Sequence, residues 1–91
     1  MAINAMTLNI DETRIHAALL EAGEKLETAE GQVVLDLSSV SRIDSRALMA
    51  FEELARIASA KKAKVALRGV SIDVYKVLKL VKLTRRFSFV N

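Results

Sequence analysis

The sequence predicts a small α/β domain: a mixed four-stranded sheet carrying three helices, in the order β-α-β-α-β-α-β. Three observations carry that expectation. The chain has 91 residues, within the ~50–250 residues of one domain, so residues 1–91 are read as a single unit. Short apolar runs alternate with longer amphipathic ones, and no repeat, low-complexity tract or linker interrupts them. Strand–helix alternation in so short a chain implies a parallel or mixed sheet with right-handed crossovers.

Met6–Ile10 reads as a first short strand. Asp11 then offers a helix N-cap, and Ile15, Leu19, Ala22 and Leu26 follow at the spacing of one helix face. The acids lie mostly on the other face, and Gly31 closes the unit. Gln32–Leu37 (QVVLDL) is a near-continuous apolar run rich in β-branched residues, which predicts a strand buried on both faces. Ser38–Ile43 is a loop whose hydroxyls favour local turns. Ser45–Lys61 is a helix, with Leu48, Phe51, Ala55 and Ala58 on one face and Glu52, Arg56 and Ser59 elsewhere. Lys64–Arg68 is a third strand, ended by Gly69. Ile72–Val81 is a third helix whose core face is Val74, Val77, Leu78 and Val81. Phe87–Val90 is a last short strand or an extended tail.

Composition removes several function classes. There is no Cys, Trp or Pro and only one His. A disulfide framework, a thiolate metal site and a multi-histidine metal site are therefore excluded. The three glycines, Gly23, Gly31 and Gly69, stand too far apart for a phosphate loop or a dinucleotide fingerprint. No nucleophile–base pair or paired-acid constellation is readable, so no enzyme activity, catalytic residue, metal or cofactor is expected. The first residues carry no basic region or long apolar run, and no stretch approaches the ~18 apolar residues of a membrane span. A soluble, cytoplasmic protein is expected.

Charge is unevenly spread. The net charge is +3. Residues 1–41 hold two bases and seven acids, whereas residues 42–91 hold twelve bases and four acids. Two surfaces of opposite sign are expected, and with them a charged partner.

The segment Asp36–Leu48 (DLSSVSRIDSRAL) is the most informative. A buried strand runs into a polar loop, and Asp44-Ser45 opens a helix. The first turn of a helix has unpaired backbone N–H groups and the positive end of the dipole. A phosphate on Ser45 is therefore tolerated there electrostatically. The plain local reading is that Asp44 or Ser45 is the N-cap.

The order of these motifs resembles a STAS domain, the anti-sigma factor antagonist family. Asp36-Leu37-Ser38 matches the family's strand ending in D-L-S, and Asp44-Ser45-Arg46-Ala47 matches its helix-opening D-S-[ST]-G motif. Gly69-Val70 ends a further strand, and Val74–Leu80 lies in the short helix after it. The resemblance covers about residues 8–90. It implies a non-enzymatic binding switch. In that family the serine after the aspartate, which corresponds by position to Ser45 here, is phosphorylated by a serine kinase that is also the anti-sigma factor. The unphosphorylated form binds that kinase and releases the sigma factor. Asp44, Ser45, Arg46, Ser38, Ser39 and Met49 are the partner-binding candidates that follow. Two motif positions depart from the pattern: Arg46 where a small polar residue is usual, and Ala47 where Gly is usual. Only one strand is readable before the first helix, where the family has two. A chain lacking that first strand leaves an open sheet edge, which invites homodimerisation.

Arg68–Leu80, preceded by V-S-R-I-D-S, is also similar to the STAS subunit of phospholipid-trafficking ABC transporters. That similarity implies the alternative partner, an ABC ATPase subunit that the domain binds and regulates. A third reading rests on Lys76, Lys79, Lys82, Arg85 and Arg86, an anion- or nucleic-acid-binding basic set. The low aromatic content argues against nucleic acid, and the bland reading is a solvated helix face. His16 reads as a surface or boundary residue, and Tyr75 and Phe87 as packing residues.

Overall fold

Three helices each separate two strands, so every connection carries the chain back along its helix before the next strand begins. The computed structural model describes residues 5–28 and 32–90. The elements are β1 (Ala5–Asn9), a 3-10 turn (Glu12–Arg14), α1 (Ile15–Thr28), β2 (Gln32–Asp36), α2 (Ser45–Lys61), β3 (Lys64–Arg68), α3 (Ile72–Leu80) and β4 (Ser88–Val90). The sheet order is β1-β2-β3-β4, and all three pairings are parallel. The expected α/β class is observed. The mixed sheet is corrected to a parallel one, because an antiparallel pair needs a connection that reverses the chain and each connection here is a helical crossover. Gly31, expected to close the first helix, lies outside the described residues.

Register decides which side of the sheet is dry. Met6, Val33 and Val65 align across the sheet, and so do Leu8, Leu35, Leu67 and Phe89. Right-handed crossovers between successive neighbours put every helix on that face. There α1 packs on α2. Leu19, Ala22 and Leu26 of α1, Phe51, Leu54 and Ala55 of α2, and Val74 and Leu78 of α3 close one core over Val33, Leu35, Val65 and Leu67. Phe51 meets Phe87 edge-on, with ring centroids 5.9 Å apart and planes at 72°.

The opposite face carries no helix among the described residues. Thr7, Asn9, Arg68, Ser88 and Val90 are exposed there, and Gln32, Val34 and Asp36 are half-buried. The expectation that the Gln32–Leu37 run is buried on both faces is thus overturned. Sequential strand order stacks all crossovers on one side, and only Val33 and Leu35, with Leu37 beyond the strand, reach the core. Val81 is a second correction, since it is 41% exposed. The spacing from Val74 holds only while the helix lasts, and α3 ends at Leu80 with Val81 already at φ −94°, ψ 10°.

Candidate functional site at the strand carboxyl ends

All four strands point the same way, so the turns leaving β1, β2 and β3 gather on one edge. Two backbone bonds extend the ladder there: Ile10 N–H to the Asp36 carbonyl at 3.0 Å, and Leu37 N–H to the Arg68 carbonyl at 2.8 Å. The turn after β2 is local chemistry. The Asp36 carboxylate accepts the Ser38 N–H at 2.9 Å and the Ser38 hydroxyl, and the Val40 N–H returns to the Leu37 carbonyl at 2.9 Å. Val40 is buried and anchors the loop.

Gly69 lies against this turn. Its φ is +68°, and an added Cβ would come within 3.0 Å of Ser38 Cβ and 3.2 Å of Ser38 Cα. Glycine is thus required twice over, for the left-handed backbone and for the close approach. Two residues on, the Ser71 hydroxyl accepts the Val74 N–H at 3.2 Å, capping α3, and donates to the Ser41 carbonyl at 3.4 Å.

From the β1 side, Glu12 reaches the same loop. Its Oε1 accepts the Ser41 N–H at 2.6 Å, the Ser41 hydroxyl at 2.9 Å and the Arg42 N–H at 3.2 Å. These bonds, led by the Ser41 N–H, hold the Glu12 carboxyl below its usual pKa. Asp36 is lowered chiefly by the Ser38 hydroxyl, and Asp11 chiefly by the Thr13 N–H. Sequence reasoning missed the Glu12–Ser41 contact. It joins residues 29 apart, and no periodicity or motif marks it.

The loop delivers Asp44 to the start of α2, where its Oδ1 accepts the Ala47 N–H at 2.9 Å. Asp44 is therefore the N-cap. Ser45, the first helical residue, is exposed, and none of the described residues bonds its hydroxyl. Arg46 is exposed beside it, and Met49, one turn on, is 68% exposed. Ala47, Ala50 and Phe51 face the core, so Ser45, Arg46 and Met49 form one outward surface. Ser38 and Ser39 are exposed on the neighbouring turn, where Ser38 is committed to Asp36 and packs on Gly69. A shallow groove of about 370 Å³ runs between the start of α1 and that of α2, lined by Glu12, Arg14, His16, Asp44 and Arg46 among others.

The basic set is divided. Lys76, Lys79, Lys82 and Arg85 are exposed, but Arg86 bonds the Ala55 carbonyl at 3.4 Å and the Ser59 hydroxyl at 3.0 Å on α2. Tyr75 packs edge-on against Phe89 at 5.3 Å. Among the described residues no group of three or more His, Cys, Asp or Glu is placed to hold a metal ion, and no helix is long and apolar enough to cross a membrane.

The STAS domain family model matches residues 6–91, and the chain belongs to that family. The crystal structure of TM1081 from Thermotoga maritima, provisionally named an anti-sigma factor antagonist, is 25% identical. It superimposes with a TM-score of 0.72 over 100% of this chain and 76% of that one. The NMR structure of TM1081 is 21% identical with a TM-score of 0.79, over 100% of this chain and 77% of that one, and speaks to the fold alone. No curated protein matches the chain.

Proposed function

We propose that this chain is a non-enzymatic regulatory module that works as an anti-sigma factor antagonist, binding a protein partner through the start of α2 and switched by phosphorylation of Ser45. The observation that carries the reading is the division of labour at that start. Asp44 supplies the cap through its bond to the Ala47 N–H, which leaves the exposed Ser45 hydroxyl free for modification. Membership of the STAS family and the likeness to TM1081 support the same role.

The physics of such a switch is direct. A phosphate adds about −1.5 to −2 charges to a small surface. The helix N-terminus and the adjacent Arg46 tolerate that charge within the free chain. A partner pressed onto the same surface has to desolvate it, and binding falls unless the partner answers with Arg or Lys. The partner of this reading is an anti-sigma factor that is itself a serine kinase.

The test is capture of partners from an extract of the source cell on the intact chain, with intact-mass measurement of the chain recovered from the same cells. The reading expects a serine kinase of the anti-sigma type and a fraction of chain carrying one phosphate. Capture of a transporter ATPase, with no phosphate on the chain, replaces it with the ABC-subunit reading.

A further inference from the structure

Between the turn that ends at Val40 and the cap at Asp44, the β2–α2 loop has few holds of its own. Ser41 and Arg42 make no backbone hydrogen bond to sheet or helix among the described residues. One carboxylate oxygen from another part of the fold supplies most of what fixes them. Glu12 Oε1 accepts three hydrogen bonds, from the Ser41 N–H, the Ser41 hydroxyl and the Arg42 N–H. The long bond from the Ser71 hydroxyl to the Ser41 carbonyl adds the third turn, so Ser41 is where the turns leaving β1, β2 and β3 meet. Three residues later the chain must present Asp44 in the extended backbone, φ −99° and ψ −177°, that starts α2.

We infer that Glu12 is a positioning residue for the partner-binding surface: by clasping Ser41 and Arg42 it fixes the loop that sets Asp44 and Ser45 at the start of α2. The functional half of this inference rests on the reading above. The mechanical half belongs to the free chain and is tested there. A charged acceptor suits the task, because hydrogen bonds to an ionised carboxylate are stronger than neutral ones. The other charged and titratable groups facing the clasp are Arg42 on the loop and Arg14, His16, Asp44 and Arg46 around the adjoining groove.

The experiment is amide hydrogen exchange and a pH titration by two-dimensional NMR on the intact chain. Glu12→Ala is expected to speed exchange about ten-fold or more at Ser41 and Arg42, and at Ala47 and Leu48, the first bonded amides of α2, while Val65–Leu67 of β3 stay unchanged. Glu12→Gln, which keeps an acceptor oxygen in place, is expected to restore most of the protection. In the wild type the Ser41 and Arg42 amide resonances should move together in one acid transition with a midpoint below that of an ordinary Glu. That transition should vanish in Glu12→Gln and persist in Asp44→Asn. Unchanged exchange at Ser41–Leu48 in Glu12→Ala, or an equal rise throughout β3, would overturn the inference. No partner is present in this experiment, so its failure leaves the Ser45 reading standing, and failure of the Ser45 switch leaves the clasp measurable.

Discussion

Asp44 turns its carboxylate back onto the Ala47 N–H, and Ser45, one residue on, keeps an exposed side chain. Position decides which does which. The residue before the helix has the extended backbone that lets a short acceptor reach the third helical N–H, and the first helical residue points its side chain outward. Either residue could have been the cap on sequence alone, because Asp and Ser are equally good caps. The geometry separates them, and the separation has a measurable consequence. Asp44→Ala should lower stability by about 1 kcal/mol, the usual cost of losing a cap, and Asp44→Ser should recover most of it. Urea unfolding midpoints read this directly, and an unchanged midpoint in Asp44→Ala would remove the cap from the account. Arg46 and Ala47, the two departures from the family motif, fall on opposite sides of the same turn. Arg46 lies on the exposed surface, and Ala47 is buried where its methyl favours the helix.

At the scale of elements, the turn after β3 seats on the turn after β2. Gly69 is the joint, with Ser38 as the surface it meets. Gly69→Ala has to place a Cβ 3.0 Å from Ser38 Cβ while holding φ at +68°. A loss of more than about 1 kcal/mol is expected, together with displaced Ser38 and Ser39 resonances. Wild-type stability in that variant would mean the two turns are not coupled. Sequence reading located α2 and β3 to the residue, because an amphipathic stripe and a cap mark one and a Gly ends the other. It failed on the burial of β2, since VVL reads the same whether one face is covered or two. Strand order settles that, and strand order is not a local property. Val81 failed for a related reason, because a stripe continues on paper past the point where the helix stops. The site itself was half legible. Asp44, Ser45, Arg46 and Met49 follow from the motif and the helical spacing, whereas the Glu12–Ser41 clasp depends on two crossovers beginning at the same edge.

The whole molecule is a one-sided sheet with its carboxyl-end loops tied by carboxylates. Asp11, Glu12 and Asp36 all hold lowered pKa values through hydrogen bonds they accept. On acidification the unfolded chain takes up protons first, at about 3.9 for Asp and 4.3 for Glu, so their stabilisation is full above that range and is lost as pH falls through the lower folded values. The urea midpoint should be flat from neutrality to ~pH 5 and then fall; a midpoint constant to ~pH 3 would contradict it. Among the described residues β1 and β4 each leave one edge unpaired, and the homodimer expected from the sequence would pair through β1, the longer of the two. Sedimentation equilibrium should show mass rising with concentration, and Thr7→Lys, which sets like charges opposite each other in a symmetric antiparallel β1 pair, should return it to monomer. A monomer mass at every concentration for the wild type would exclude that pairing. The proposed reading requires that the surface around Ser45 bind a partner only while uncharged. Calorimetric titration of the captured partner with wild type, Ser45→Ala and Ser45→Glu tests it most directly. The account predicts equal affinity for wild type and Ser45→Ala, and affinity at least about ten-fold weaker, some 1.4 kcal/mol, for Ser45→Glu; equal affinity for all three would contradict it.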